Sequence, residues 1–369
     1  MGYDYLVVGA GLYGAVFSRR AREAGQKVLV IDKRPHIGGS IRTETLAGIT
    51  VHRYGAHIFH TDNAAVWQFV SRFARLVPYC HEPKANYRGR LYSLPFTMHT
   101  FREMWGDVTP AEAAAIIASQ RNENAAREPA NLEEQAVALV GRDIYEKLVR
   151  GYTEKQWGRP CRELPAFLIR RLPVRFNDVR GYFDDRFQGI PAEGYTAMTA
   201  AMLEGCEIRT SEDYLADRGF YGRLAERIFY TGPLDAFYRC DLGALAYRTL
   251  RFEHKVLDVT DHQGCAVVNY TGTEVPWTRI IEHRHFLPEA YTAVPRTVVT
   301  YEYSEGMTPG AEPCYPVNDP VNEALAEAYR RRAGNEKRVI MGGRLGTYRY
   351  LDMDDAAALS LGIADRLFR

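Results

Sequence analysis

Residues 4–32 read DYLVVGAGLYGAVFSRRAREAGQKVLVID, and this stretch decides the fold. Asp4 to Val8 is a short apolar run of the kind that forms a buried strand. It leads into Gly9-Ala10-Gly11-Leu12-Tyr13-Gly14 and then into a segment with helical spacing; a second apolar run, Lys27 to Ile31, ends on Asp32. Strand, glycine turn, helix and strand in this order make the β-turn-α-β unit that binds a dinucleotide. Gly9 permits the tight turn, Gly11 lets the backbone approach a pyrophosphate, and Gly14 lets helix and strand pack closely. Leu12 begins a helix whose N-terminus offers free N–H groups and a positive dipole end to phosphates. Asp32 is placed to accept a hydrogen bond from the adenosine ribose, with Lys33 beside it. A bare glycine motif is weak evidence, but here it follows a strand, opens a helix and meets an acid at the end of the next strand.

The next residues, KRPHIGGS, set Gly38-Gly39 just after Asp32. That paired glycine resembles the second fingerprint of FAD-binding proteins and favours FAD over NAD as the dinucleotide. The chain has 369 residues, enough for two or three domains. Its 46% hydrophobic and 25% charged residues are ordinary for a globular protein. A formal net charge of +1 argues against a general binder of nucleic acid or acidic membranes, so any anion site must be a local cluster of arginines. Six cysteines show neither CxxC nor metal-like spacing, as expected of a reduced, cytoplasmic protein without a metal. No apolar run approaches the roughly 20 residues of a membrane helix.

Along the chain, LAGITVHRYGAHIFHT alternates like a strand and turns at Gly55, carrying His57 and His60. NAAVWQFVSRFARL is an amphipathic helix capped by Asp62 or Asn63, and KANYRGRLYSLPF is a hairpin turning at Arg88-Gly89. Residues 97–158 are helical almost throughout, with Thr109-Pro110 as a helix start. Residues 159–190 are rich in proline, arginine and aromatics and lack periodicity, which predicts a long, partly mobile loop of the functional kind. From 244 to 303 strands dominate, read as a meandering antiparallel sheet that includes TRIIEHRHF. A strand, a glycine turn and a final helix close the chain. The expected fold is α/β: a discontinuous FAD-binding Rossmann-like domain (1–75, 190–242 and 334–369), a helical insertion (97–165) with the loop 159–190, and an antiparallel β-sheet substrate domain (76–96 and 243–333).

The segments that carry chemistry lie outside the dinucleotide unit: GAHIFHT, YTEKQWG at 152–158, RLPVRF at 171–176, GYF with Tyr182, NYT with Asn269, TRIIEH with Arg279, CYPVN with Tyr315, and GGRLGTYRYLDMD with Arg344, Tyr350 and Asp352. In this order and together they resemble the bacterial UDP-galactopyranose mutase family along nearly the whole chain. The resemblance implies a flavin-dependent isomerase that interconverts the pyranose and furanose forms of a nucleotide sugar, through attack of reduced-flavin N5 on the anomeric carbon, with no net redox change. It also implies FAD that works in its reduced form and NAD(P)H as a reductant; a homodimer is expected. Arg171 and Arg279 match the family's pyrophosphate arginines, Tyr182, Tyr315 and Tyr350 its phosphate tyrosines, Tyr152 the tyrosine beside the nucleobase, Arg344 a cation near the flavin, and His57 the flavin-adjacent histidine. Trp157 and Asn269 join the substrate set. The cofactor set is Gly9, Gly11, Leu12, Gly14, Asp32, Lys33, Gly38, Gly39, His57, Arg344, Tyr350 and Asp352.

These residue types suit the reaction. Charge builds on a diphosphate as a glycosidic bond breaks, and guanidinium forks with phenolic donors stabilise it in a water-poor site. The loop around Arg171, hinged at Trp157-Gly158, is expected to act as a lid. Each residue also has a structural reading: Arg279 paired with Glu282 or Glu302, the tyrosines as core aromatics, and Arg175 as the neighbour most easily confused with Arg171. One departure is visible. Leu148 and Val149 stand where the family carries paired phenylalanines, which keeps dTDP-fucose or another nucleotide sugar open as the substrate. A flavin amine oxidase is a further alternative, against which the arginine–tyrosine set speaks.

Overall fold

The computed structural model describes residues 2–121, 128–169, 173–308 and 310–368. Its first layer is a five-stranded parallel sheet in the order Glu207–Thr210, Val28–Asp32, Tyr3–Val8, Ala225–Tyr230, Val339–Met341. Strands covered on both faces must be apolar throughout, and all five residues of Val28–Asp32 are buried. The helix Leu12–Glu23 packs on one face against Met353–Leu367, and Phe17 stacks on Phe229 at 3.8 Å between ring centroids.

The second layer is a seven-stranded sheet in the order Tyr315–Pro316, Tyr247–Leu257, Thr297–Gly306, Arg279–Glu282, Val267–Tyr270, Lys84–Tyr87, Arg90–Ser93. Two expectations need correction here. The sheet is not a meander, because the two longest strands pair with each other from Arg248↔Gly306 to Leu257↔Thr297, ahead of the strands between them in sequence. It is also mixed, since Val267–Tyr270 runs parallel to Lys84–Tyr87. The strand read as TRIIEHRHF ends at Glu282, and His283–Phe286 is a 3₁₀ turn. The hairpin 84–93 turns as read: Arg88 (φ +52°) and Gly89 (φ +86°) both take the left-handed conformation a two-residue loop demands.

Against the seven-stranded sheet packs the helical segment, with helices Met98–Trp105, Pro110–Ser119, Leu132–Ile144 and Arg150–Trp157. A π-helical turn, Tyr145–Val149, joins the last two. Thr109 and Glu112 form a capping box, and Gly158 (φ +66°) ends the series. Beyond it the chain makes short 3₁₀ turns at Cys161–Glu163 and Ala166–Ile169, then the strand Phe187–Pro191, which pairs with Phe59–Thr61 and Leu76–Pro78. Among the described residues no helix is long and apolar enough to cross a membrane.

Candidate active site

The glycine turn leaves no room for side chains. A Cβ on Gly9 (φ +112°) would collide with the Thr231 hydroxyl, and one on Gly14 with the carbonyl oxygen of Gly9. Gly11 bridges to Gly38, and a Cβ on Gly39 would come within 2.8 Å of the Gly11 Cα. Two bare backbones therefore cross at the mouth of the helix that begins at Leu12, whose N-cap residue, Gly11, supplies no side-chain cap. This is the cradle a dinucleotide pyrophosphate fits. Asp32, 5% exposed, accepts from Ala10 N at 2.8 Å and Arg34 N at 2.9 Å, so its carboxylate also braces the turn. Lys33 lies half exposed, 3.7 Å from Glu312.

The second set of residues converges where the two layers face each other. Strand register sets Asn269 opposite Arg279, and Arg279 opposite Glu302. Arg279 Nε lies 2.9 Å from Glu302 Oε1, while its Nη2 donates to the Tyr152 hydroxyl at 2.6 Å. Burial alone would weaken the guanidinium's hold on its proton; Glu302 and Tyr152 more than reverse this and hold it above the ordinary value. Burial pushes the Tyr152 phenol up to about 12. Because its oxygen accepts from Arg279, its own proton is free for an anion. Tyr182, held by its backbone to His81, shares the cleft wall with Tyr152. Asn269 lines the same cleft, and its buried Oδ1 has no partner among the described residues.

From the other side, Arg344 sits 5.3 Å from the ring of Tyr315 and 5.0 Å from that of Tyr350, rings that stack at 6.0 Å. Its Nη2 donates to Leu351 O at 2.7 Å, and Asp352 is the N-cap residue of the last helix. His57 is fixed at three points. Its Nδ1 donates to Gly55 O at 2.8 Å, its N–H donates to His52 Nδ1 at 3.1 Å, and Tyr195 donates to its carbonyl at 3.1 Å. That bonding leaves Nε2 as an acceptor. Burial, with Arg344 and Arg279 adding to it, lowers the imidazole to about 4, so it is neutral at ordinary pH.

The helix that carries Tyr152 and Trp157 faces a cleft of about 240 Å³, walled by Phe96, Leu148, Val149, Tyr152, Trp157 and Asn269 among others. Leu148 and Val149 are 4% and 5% exposed, an aliphatic wall. The structure thus brings together Arg279, Tyr152, Tyr182, Asn269 and Trp157, and joins Arg344, Tyr315, Tyr350 and His57 to them. Arg171 lies outside the described residues. Arg175 is committed elsewhere, to Gly181 O, Tyr182 O and Asp184. Sequence reasoning passed over His52, which holds the His57 backbone, and left Glu302 as one of two candidate partners for Arg279. It also passed over Lys155 and Gly151; their spacing of four on a helix with Lys147 was the available signal.

A parallel dinucleotide sheet together with a cleft walled by the phenols of Tyr152 and Tyr182, with Arg279 bonded to Tyr152, suits an anionic, nucleotide-like substrate. Comparison with known proteins makes the class definite. Residues 147–350 match the UDP-galactopyranose mutase family model and residues 7–73 that of an NAD(P)-binding Rossmann-like domain. A Klebsiella pneumoniae protein named "Probable UDP-galactopyranose mutase" is 42% identical over 98% of this chain and 94% of its own length. The dTDP-fucopyranose mutase of Escherichia coli is 39% identical over 95% of this chain and 94% of its own. A crystal structure of reduced UDP-galactopyranose mutase has the same fold, with a TM-score of 0.77 at 15% identity, over 100% of this chain and 94% of that one. The chain belongs to the UDP-galactopyranose mutase family. It is an intramolecular isomerase, a mutase of nucleotide-sugar pyranose and furanose forms.

Proposed function

We propose that the enzyme interconverts UDP-galactopyranose and UDP-galactofuranose, with FAD held at the Gly9–Gly14 and Gly38-Gly39 crossing. Reduced FAD, when bound, would supply the nucleophile for the anomeric carbon, with no net redox change. The protein's own contribution is electrostatic. Arg279, oriented by Glu302, and the Tyr152 phenol receive the diphosphate as charge develops on it, with Tyr182, Tyr315 and Tyr350 as uncharged donors. Arg171 is assigned the second diphosphate contact and the loop that carries it the role of lid. Arg344 is assigned the role of the cation that would favour the anionic reduced flavin, and neutral His57 would offer Nε2 to it as an acceptor. NAD(P)H serves as reductant, and the working form is a cytoplasmic homodimer.

The observation that carries the reading is the Arg279–Tyr152 contact at 2.6 Å, with Tyr152 in the same cleft wall as Asn269, whose Oδ1 has no partner among the described residues. A second reading, the same chemistry on dTDP-fucose, is supported by the aliphatic Leu148–Val149 wall and by the Escherichia coli relative. Dithionite-reduced protein incubated separately with UDP-galactopyranose and dTDP-fucopyranose, with chromatographic separation of the isomers, tests both. Furanose from the UDP sugar at the higher kcat/KM is expected. Preference for the dTDP sugar transfers the assignment to the second reading, and no isomer from either removes both.

A further inference from the structure

The helix bearing Tyr152 must be held in register with the strand bearing Arg279, because the 2.6 Å contact between them spans two elements distant in sequence. One stripe of that helical segment does the holding. Residues 147, 151 and 155 recur at intervals of four and so lie on one face. The Lys147 carbonyl accepts from Thr271 Oγ1 at 2.7 Å. Gly151 lies so close to Thr271 that a Cβ there would collide with the Thr271 carbonyl oxygen. Lys155 Nζ reaches Tyr270 O at 2.7 Å, Trp277 O at 2.9 Å and Val275 O at 3.3 Å. These partners are the last residue of strand Val267–Tyr270 and residues of the turn that joins it to strand Arg279–Glu282, the strands of Asn269 and Arg279.

An ammonium has three donors and no acceptor, and here each donor has a carbonyl. Side chains on the rest of the segment (148, 149, 152, 156 and 157) are thereby left to line the cleft. We propose that Lys155 is a positioning residue: it bolts the nucleotide-facing helix to the turn that enters the Arg279 strand, and so sets the affinity for a nucleoside diphosphate. The proposal rests on the mutase reading above for the identity of that ligand.

The same geometry gives a signature that a merely structural lysine would lack. Burial lowers the Lys155 ammonium to about 8, opposed by Glu274, the charged group that acts on it. Because this value lies below the ordinary lysine value of 10.5, the unfolded chain binds more protons between the two. Stability from this group therefore rises with pH across that window. The clamp does the opposite. A neutral amine has lost its charge and one donor, so the grip on three carbonyls weakens as pH passes about 8. Affinity and stability must then move in opposite directions. Tyr152 in the cleft wall titrates at about 12 and His57 at about 4, a terminal phosphate completes its ionisation near pH 6, and the imide of uracil or thymine ionises only above the range used below.

The test is titration calorimetry of the FAD-loaded protein with UDP, and in parallel with dTDP, from about pH 6.5 to 8.5, where the nucleobase imide stays protonated and the Lys155 value of about 8 is bracketed, with melting temperatures recorded alongside. Wild type should bind about threefold more weakly at the top of the range than at the bottom, as a group titrating at about 8 is by then mostly deprotonated, with no fall in melting temperature. Lys155→Met should bind about tenfold more weakly at neutral pH and show no pH dependence. Lys155→Arg, which stays charged throughout, should lose the inflection. Wild-type affinity that is flat with pH, Lys155→Met affinity equal to wild type, or an inflection retained in Lys155→Arg overturns the positioning role alone. Failure of the wild-type protein to bind either nucleotide removes the mutase reading, and this inference with it.

Discussion

At the scale of single residues the decisive object is the Arg279–Glu302 pair. Its side chains are 24% and 5% exposed, so water screens it poorly. Removing one partner leaves the other charge in a poor solvent, a cost of about 3–5 kcal/mol for a fully buried pair and nearer 2–3 for this partly open one. Arg279→Gln is expected to lose that stability and also about 10²–10³-fold in turnover, the scale of losing a charge aimed at the leaving group. The double variant Arg279→Gln/Glu302→Gln should recover most of the stability and none of the rate. Urea melts and initial rates on the three variants separate the two roles. A double variant that recovers turnover would show that Arg279 acts only by satisfying Glu302. The pair also shows what a chain of letters conceals. Arg279 has a glutamate three residues on and another twenty-three on, and spacing does not choose between them. Register does: Glu302 is the cross-strand neighbour, whereas Glu282 accepts from His262 N, Gln263 N and Thr297 Oγ1.

At the scale of elements, legibility follows how local the determinant is. The dinucleotide turn, the Thr109-Pro110 start and the Arg88-Gly89 hairpin were readable because a few adjacent residues fix them, and the helix cap was narrowed to Asp62 or Asn63, of which Asn63 is the one that caps. The parallel pairing of Val267–Tyr270 with Lys84–Tyr87 and the π-helical turn at Tyr145–Val149 were not, because both are decided by packing between segments far apart in sequence. The best-read element yields a sharp test. In Gly14→Ala the new methyl meets the Gly9 carbonyl and lies 3.1 Å from Val7 Cγ1, so the helix must lift from the strand and carry its N–H groups off the phosphate position. The protein is expected to purify with most of its FAD missing, read as flavin absorbance per mole of protein, while folding otherwise. A fully loaded Gly14→Ala protein would mean that the cradle is not where the cofactor is held.

Across the whole molecule, the seam between the sheets is studded with histidines that the fold keeps neutral. Burial lowers His57 and His254 to about 4 and His81 and His283 to about 3, and places His52 well below the ordinary 6.5. Their bonding agrees: His52 Nδ1 accepts from the His57 backbone and His283 Nδ1 from that of His52, roles closed to a protonated nitrogen. Each has a folded value below its unfolded one, so the unfolded chain takes up protons first as pH falls below about 6.5. The stability these groups carry is complete above that point and drains away toward pH 4. His285, raised by its bonds to Glu282 and Asp261 against the pull of burial, works in the opposite sense. Lowered carboxylates such as Glu282 hold their contribution until below 4.5, outside this window. Six groups, these five and His36, which burial also lowers, against one should lower the melting temperature by roughly 5–10 °C between pH 7 and 5. FAD release should track the transition, because protonating His52 frees the peptide that fixes His57. Scanning calorimetry with flavin fluorescence over that range checks both; a melting temperature unchanged to pH 5 would mean that these imidazoles are not held neutral, and the tautomers assigned to the His57 loop would fall with it.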